Sequence, residues 1–166
     1  MYRSISDFQS DWSYESAAMV KFLRALTEPS RGQKVTPDGR SLGFIAWHTV
    51  CAVTEIGNSA KLPVEGPQEP AAAPATIAEM VSAYEAAARS LADVVTKSWT
   101  DGMLTDQIEM YGEHFSRGGA LAMLVKHQAH HRGQMTVLMR QAGLRVPDVY
   151  GPAREDWAQW GMAAHP

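Results

Sequence analysis

Four stretches of this chain repeat apolar residues at steps of three and four, a period that fits little except helices packed face to face. In the first, Ile5, Phe8, Trp12, Met19, Leu23 and Leu26 form the stripe, and Pro29 stops the helix. The second begins at Ser41, a good N-cap, and its stripe is Phe44, Ile45, His48, Ala52 and Ile56, with Gly57-Asn58 as the expected C-terminus. The third begins behind Thr76, another capping residue, and buries Ile77, Met80, Val81, Tyr84, Leu91 and Val95. The fourth covers residues 117–142, with Gly143 as its natural stop.

The links sort the helices into an architecture. "KLPVEGPQEPAAAPAT" holds four prolines in sixteen residues and reads only as a connector. The segment between the third and fourth helices is irregular, with a short strand expected over 107–111. The tail is expected to lie across the helices and end in a short helix over 155–161. The expected fold is all-α: one four-helix bundle domain over residues 1–166, with a long crossover between helices two and three.

Composition removes several functional classes. A net charge of −3 and no long run of like charge speak against a surface that tracks phosphates, so no nucleic-acid partner is expected. One cysteine, Cys51, permits no internal disulfide and fits a reducing compartment. The N-terminal residues lack the apolar core of a secretion signal, and no stretch approaches the ~18 apolar residues of a membrane span. A cytoplasmic protein with no membrane partner is expected.

The chemistry gathers in "VKHQAHHRGQ", residues 125–134, which contains three of the six histidines. At bundle spacing the inward stripe of helix four is Ala120, Leu124, His127, His131, Gln134 and Leu138. Residues four apart lie about 40° apart and one turn along the axis, so His127 and His131 can reach one ion. His130 is rotated about 60° back from His127 and faces elsewhere. His48, on the inward stripe of helix two, supplies a third imidazole. Three nitrogens with a position left open form the face of a catalytic zinc-type site, and nickel, iron or manganese accept the same donors. Inward histidines are also ordinary hydrogen-bonded core residues, and spacing alone leaves both readings open. Two familiar schemes are excluded. A zincin needs glutamate directly after the first histidine, where this chain has Gln128. A di-iron bundle needs Glu-x-x-His pairs, and the residues three before His48, His127 and His131 are Ile45, Leu124 and Gln128.

"RSLGFIAWHTV", "HQAHHRGQMTVLMRQAG" and "VPDVYGP" together resemble the DinB/YfiT-like family of metal-dependent enzymes, over nearly the whole chain. The resemblance implies a four-helix bundle with up-down-down-up connectivity and a three-histidine site that falls on His48, His127 and His131. It also implies one divalent metal ion, a homodimer and a small-molecule substrate. The better understood relatives are transferases of low-molecular-weight thiols such as bacillithiol, mycothiol or glutathione, with related isomerases and hydrolases. A metal-dependent thiol S-transferase or hydrolase is therefore the leading expectation. A non-catalytic, stress-related bundle that binds a metal or small molecule is the alternative.

Three residues are candidates for further catalytic roles. Gln134 can hydrogen-bond a ligand or an imidazole. Glu55, roughly 10 Å along helix two from His48 by helix rise, can serve as a base at the cavity mouth but not as a ligand. His114 precedes helix four and can approach the opening. Arg132 is expected in a structural ion pair, and Trp157 and Trp160 to fasten the tail or contribute to a dimer contact.

Overall fold

The computed structural model describes residues 2–163. Its α-helices are α1 (Ile5–Arg24), α2 (Leu42–Ser59), α3 (Ile77–Ser98) and α4 (Arg117–Gln141), with a hairpin of β1 (Gln107–Met110) and β2 (Glu113–Ser116) between α3 and α4. Short 3-10 turns occupy Pro29–Gly32, Asp101–Thr105 and Arg154–Trp160. The molecule is thus mostly helical, but not strictly all-α.

Each helix starts where its cap is. Ser4 accepts from the Asp7 amide while the Asp7 carboxylate accepts from the Ser4 amide, a reciprocal box that satisfies two orphan donors. Thr76 and Glu79 build the same box on α3. Ser41 and Ser116 cap α2 and α4 through the amides of Phe44 and Gly119. Tyr111 and Gly112, both at positive φ (55° and 77°), form a two-residue turn whose twist matches the antiparallel strands, pairing Met110 with Glu113. The expected strand is β1; its partner β2, of the same length, is too polar to show in the pattern.

Helix α1 packs against α3 and α4, and α2 packs against the same two helices. The core between them holds Phe8, Trp12, Met19 and Leu23 of α1, Val50 and Val53 of α2, Met80, Tyr84 and Leu91 of α3, and Leu121, Leu124 and Met135 of α4. Trp12 donates its indole N–H to the Ala88 carbonyl at 3.0 Å, tying α1 to α3.

Four expectations need correction. Helix α2 does not stop at Gly57-Asn58 but continues to Ser59. Gly57 is a contact point instead: a Cβ there would overlap the Val64 methyl Cγ2, so the missing side chain lets the connector press onto the helix. Asn58 completes the join by accepting from the Val64 amide at 3.0 Å. Gly57→Ala should cost about 1–3 kcal/mol through overpacking, measurable as a lower urea midpoint with an unchanged slope. Phe44 is 47% exposed rather than in the core; its ring stacks on His48 at 6.2 Å, with the Arg40 guanidinium above it. Gln134 is also exposed. Steps of three and four describe more than one path along a helix, and packing selects Leu124, Gln128, His131, Met135 and Leu138. Trp160 is 68% exposed, so it does not fasten the tail. Glu155 does that by accepting from Arg140 of α4 at 2.9 Å, while Asp156 accepts from Arg145 within the tail.

Candidate metal centre

The middle of α4 buries polar groups where a bundle helix normally carries leucines. Gln128, His131 and Arg132 are all less than 5% exposed, so each needs a partner. Arg132 finds Glu15 of α1, the buried ion pair expected of it, and Tyr150 donates to the same carboxylate. Gln128 accepts from the Tyr84 hydroxyl at 2.7 Å. His131 turns toward α2.

There it meets His127 and His48. Each of the three offers one ring nitrogen, and these atoms lie within 4.8 Å of one another. The Nε2 atoms of His127 and His131 are 3.2 Å apart, and the His48 ring centre is 5.2 Å from that of His127 and 4.7 Å from that of His131. The i, i+4 spacing on α4 supplies the first pair, and the packing of α2 on α4 brings the third.

The outward nitrogens are held differently. His131 Nδ1 bonds Gln134 Oε1 at 2.8 Å, and the Gln134 amide N–H₂ reaches His130 Nε2 at 3.0 Å. His48 Nδ1 bonds Glu69 Oε1 at 2.6 Å. His127 Nδ1 is buried and has no hydrogen-bond partner among the described residues. Burial, then the neighbouring imidazoles of His131, His48 and His130, push the His127 pKa down to about 4. Burial also lowers that of His131, with the charges of His48, His130 and Arg40 acting in the same direction against the Gln134 bond. Both rings are therefore neutral near pH 7, the form that ligates metal.

This donor set suits a divalent ion. Between two neutral rings in contact through Nε2, one proton can serve only one of the two nitrogens, whereas a shared cation satisfies both lone pairs. Three imidazoles without a thiolate match zinc, nickel, iron or manganese, and the chemistry of the donors goes no further.

The other candidates are spread more widely. Glu55 lies two turns beyond His48 on α2 and accepts from the Tyr111 hydroxyl at 3.2 Å, outside the histidine cluster. His114 is exposed on β2, opposite Glu109 and outside the histidine cluster; α4 begins only at Arg117 and climbs about 15 Å before it reaches His127. Gln134 touches the cluster from outside, through His131. Glu69 is the residue that the periodicity misses. It lies in the proline-rich connector, where no helical phase links it to His48, and a carboxylate among alanines and prolines was its only signal. A cleft of about 480 Å³ is lined by Phe44, Trp47, Glu69 and Arg31 among others, and reaches the histidines only through Phe44 and Glu69, which touch His48.

The DinB family model matches residues 1–162. This chain belongs to the DinB family. It is 40% identical over 164 residues to the uncharacterized protein YrdA of Bacillus subtilis strain 168, covering 99% of this chain and 98% of that protein. The crystal structure of a DinB-like protein from Bacillus cereus ATCC 10987 is 37% identical, with a TM-score of 0.86 over 90% of this chain and 100% of that one. A second DinB-like structure, YjoA of Bacillus subtilis, is 16% identical with a TM-score of 0.67 over 86% of this chain and 96% of that one, and it supports the fold alone. No helix among the described residues of this DinB-family chain is long and apolar enough to cross a membrane.

Proposed function

We propose that this DinB-family protein is a metal-dependent enzyme in which His48, His127 and His131 hold one divalent ion, for transfer of a small thiol or hydrolysis of a small molecule. The observation that carries the reading is the convergence of three imidazole nitrogens within 4.8 Å, two of them backed on their far side by polar groups. An ion bound there would supply Lewis acidity, making a thiolate or hydroxide available near neutral pH.

The protein's own part is binding and orientation. Gln134 keeps His131 turned inward, and burial keeps His127 neutral. Phe44 and Trp47 offer apolar walls to a small molecule in the adjoining cleft. Gln128 does not act as a base: an amide takes no proton at neutral pH, and its oxygen is occupied by Tyr84. In a transfer reaction the thiol sulfur forms a bond to an electrophilic carbon, the leaving group departs with its electron pair, and the thiol proton passes to solvent.

The test is a panel of small thiols with one electrophile, comparing zinc-loaded wild type with His127→Ala. A rate advantage for wild type is expected with at least one thiol. Equal rates throughout, with metal still bound to wild type, would leave a non-catalytic metal-binding bundle as the reading.

Several wider features belong to the same proposal. In up-down-down-up connectivity α1 opposes α3 and α2 opposes α4, in line with Gln9–Thr96 and Tyr111–Glu55, and α2 runs with α3, in line with Gly57, late in α2, lying beside Leu91 in the second half of α3. A single domain over residues 1–166 agrees with the extent of the family match. A cytoplasmic homodimer is supported by the free thiol of Cys51 and by the exposed Tyr150 and Trp160.

A further inference from the structure

We propose that Glu69 is the positioning residue of the metal centre: it selects the His48 tautomer that directs Nε2 at the ion. This rests on the metal reading above. Glu69 Oε1 lies 2.6 Å from His48 Nδ1. A carboxylate can only accept, so the Nδ1 of a neutral His48 carries the proton and its Nε2 keeps a lone pair. Carboxylates commonly stand behind metal-bound imidazoles in this way, fixing ring orientation and raising basicity. Glu69 is not itself one of the convergent donors, which are His48, His127 and His131.

The connector is pinned where this contact needs it. Trp47 of α2, next to His48, donates its indole N–H to the Ala71 carbonyl at 2.7 Å. Arg31 donates to the carbonyls of Ala75 and Pro74 at 2.7 and 2.8 Å. Phe44 stacks on the His48 ring and lines the same cleft as Glu69. His48 is thus held by a ring on one side and by a carboxylate at its outer nitrogen. His131 has an amide in the equivalent place, and His127 Nδ1 has no partner among the described residues. Of the three imidazoles, His48 is the one with a carboxylate at its Nδ1.

The experiment compares wild type, Glu69→Ala and Glu69→Gln by two measurements. Long-range ¹H–¹⁵N spectra of the metal-free proteins at pH 8 read the His48 tautomer, and chelator competition with Co²⁺ reads affinity. Wild type should show His48 protonated at Nδ1. Glu69→Ala should lose that preference and bind Co²⁺ about 10–100-fold more weakly, with Glu69→Gln in between because its amide oxygen still accepts. Unfolding curves of the metal-free proteins should stay close together, since Glu69 is 44% exposed.

A role confined to tethering the connector would leave the tautomer unchanged, and that result overturns the proposal. Unchanged Co²⁺ affinity in Glu69→Ala overturns it as well. If Glu69→Gln changes the Co²⁺ absorption spectrum as much as His48→Ala does, Glu69 is a ligand and not a positioning residue. If wild type binds no Co²⁺ although His48 shows the expected tautomer, the metal reading itself fails, and the positioning role falls with it.

Discussion

Glu15→Ala should remove about 3–5 kcal/mol of folding stability, because it strands the Arg132 guanidinium in the core. Both side chains are almost fully buried, at 4% and 3% exposure. Arg132 donates to both the Glu15 carboxylate and the Glu15 backbone carbonyl, and to the Tyr150 hydroxyl. Tyr150 closes the loop by donating to the other carboxylate oxygen at 2.8 Å. Without Glu15, a cation with no counter-charge remains between α1 and α4. At about 2–4 °C per kcal/mol for a chain of this size, the melting temperature should fall by on the order of 10 °C. The pair is not thereby a large net source of stability. Glu15→Leu combined with Arg132→Met should recover most of the loss, since an apolar pair incurs no desolvation penalty. A loss below 1 kcal/mol for Glu15→Ala, from denaturant titration, would refute the argument.

His48→Ala and His127→Ala should each weaken divalent-metal binding by on the order of 100-fold. Structural zinc sites yield about 10–16 kcal/mol over four ligands, so one imidazole accounts for roughly 3 kcal/mol, or two decades in affinity. The two variants act from different helices, and a matching loss in both would argue for one shared ion. His114→Ala serves as the control: it lies exposed on β2 and should bind as wild type does. Zinc competition against a coloured chelator makes the measurement. Retention of wild-type affinity in either His48→Ala or His127→Ala would remove that residue from the centre.

These expectations divide by how far apart their partners lie in the chain. The His127 and His131 pairing was legible because four residues make one helical turn and put both rings on one side. The caps at Ser41 and Thr76 were legible for the same local reason. The role of Gln134 was harder to place. It touches His131, as a neighbour three residues away can, but it does so from the solvent side, because packing chose the path through Gln128 and Met135. Phe44 shows the same ambiguity: its spacing suits a core stripe, yet it lies outside and covers His48. Gly57 looked like a stop signal, and only the arrival of Val64 shows that it provides clearance.

The sequence by itself determined the four helices, most of their caps, the paired imidazoles on α4 and the family, because each depends on signals spanning a few residues or on motif spacing. The tertiary structure decided the rotation of each helix, which left Phe44 and Gln134 outside the core, and brought the His48 expected from the stripe of helix two onto His127 and His131; it alone set Glu69 behind His48. Helix propensity and capping are settled within a turn of the chain, whereas the rotation of a helix is settled by which side chains fill the space between four of them. A proline-rich connector has no period at all, so the position of Glu69 beside His48 comes from contacts that the folded bundle makes with the connector, those of Trp47 and Arg31 among them.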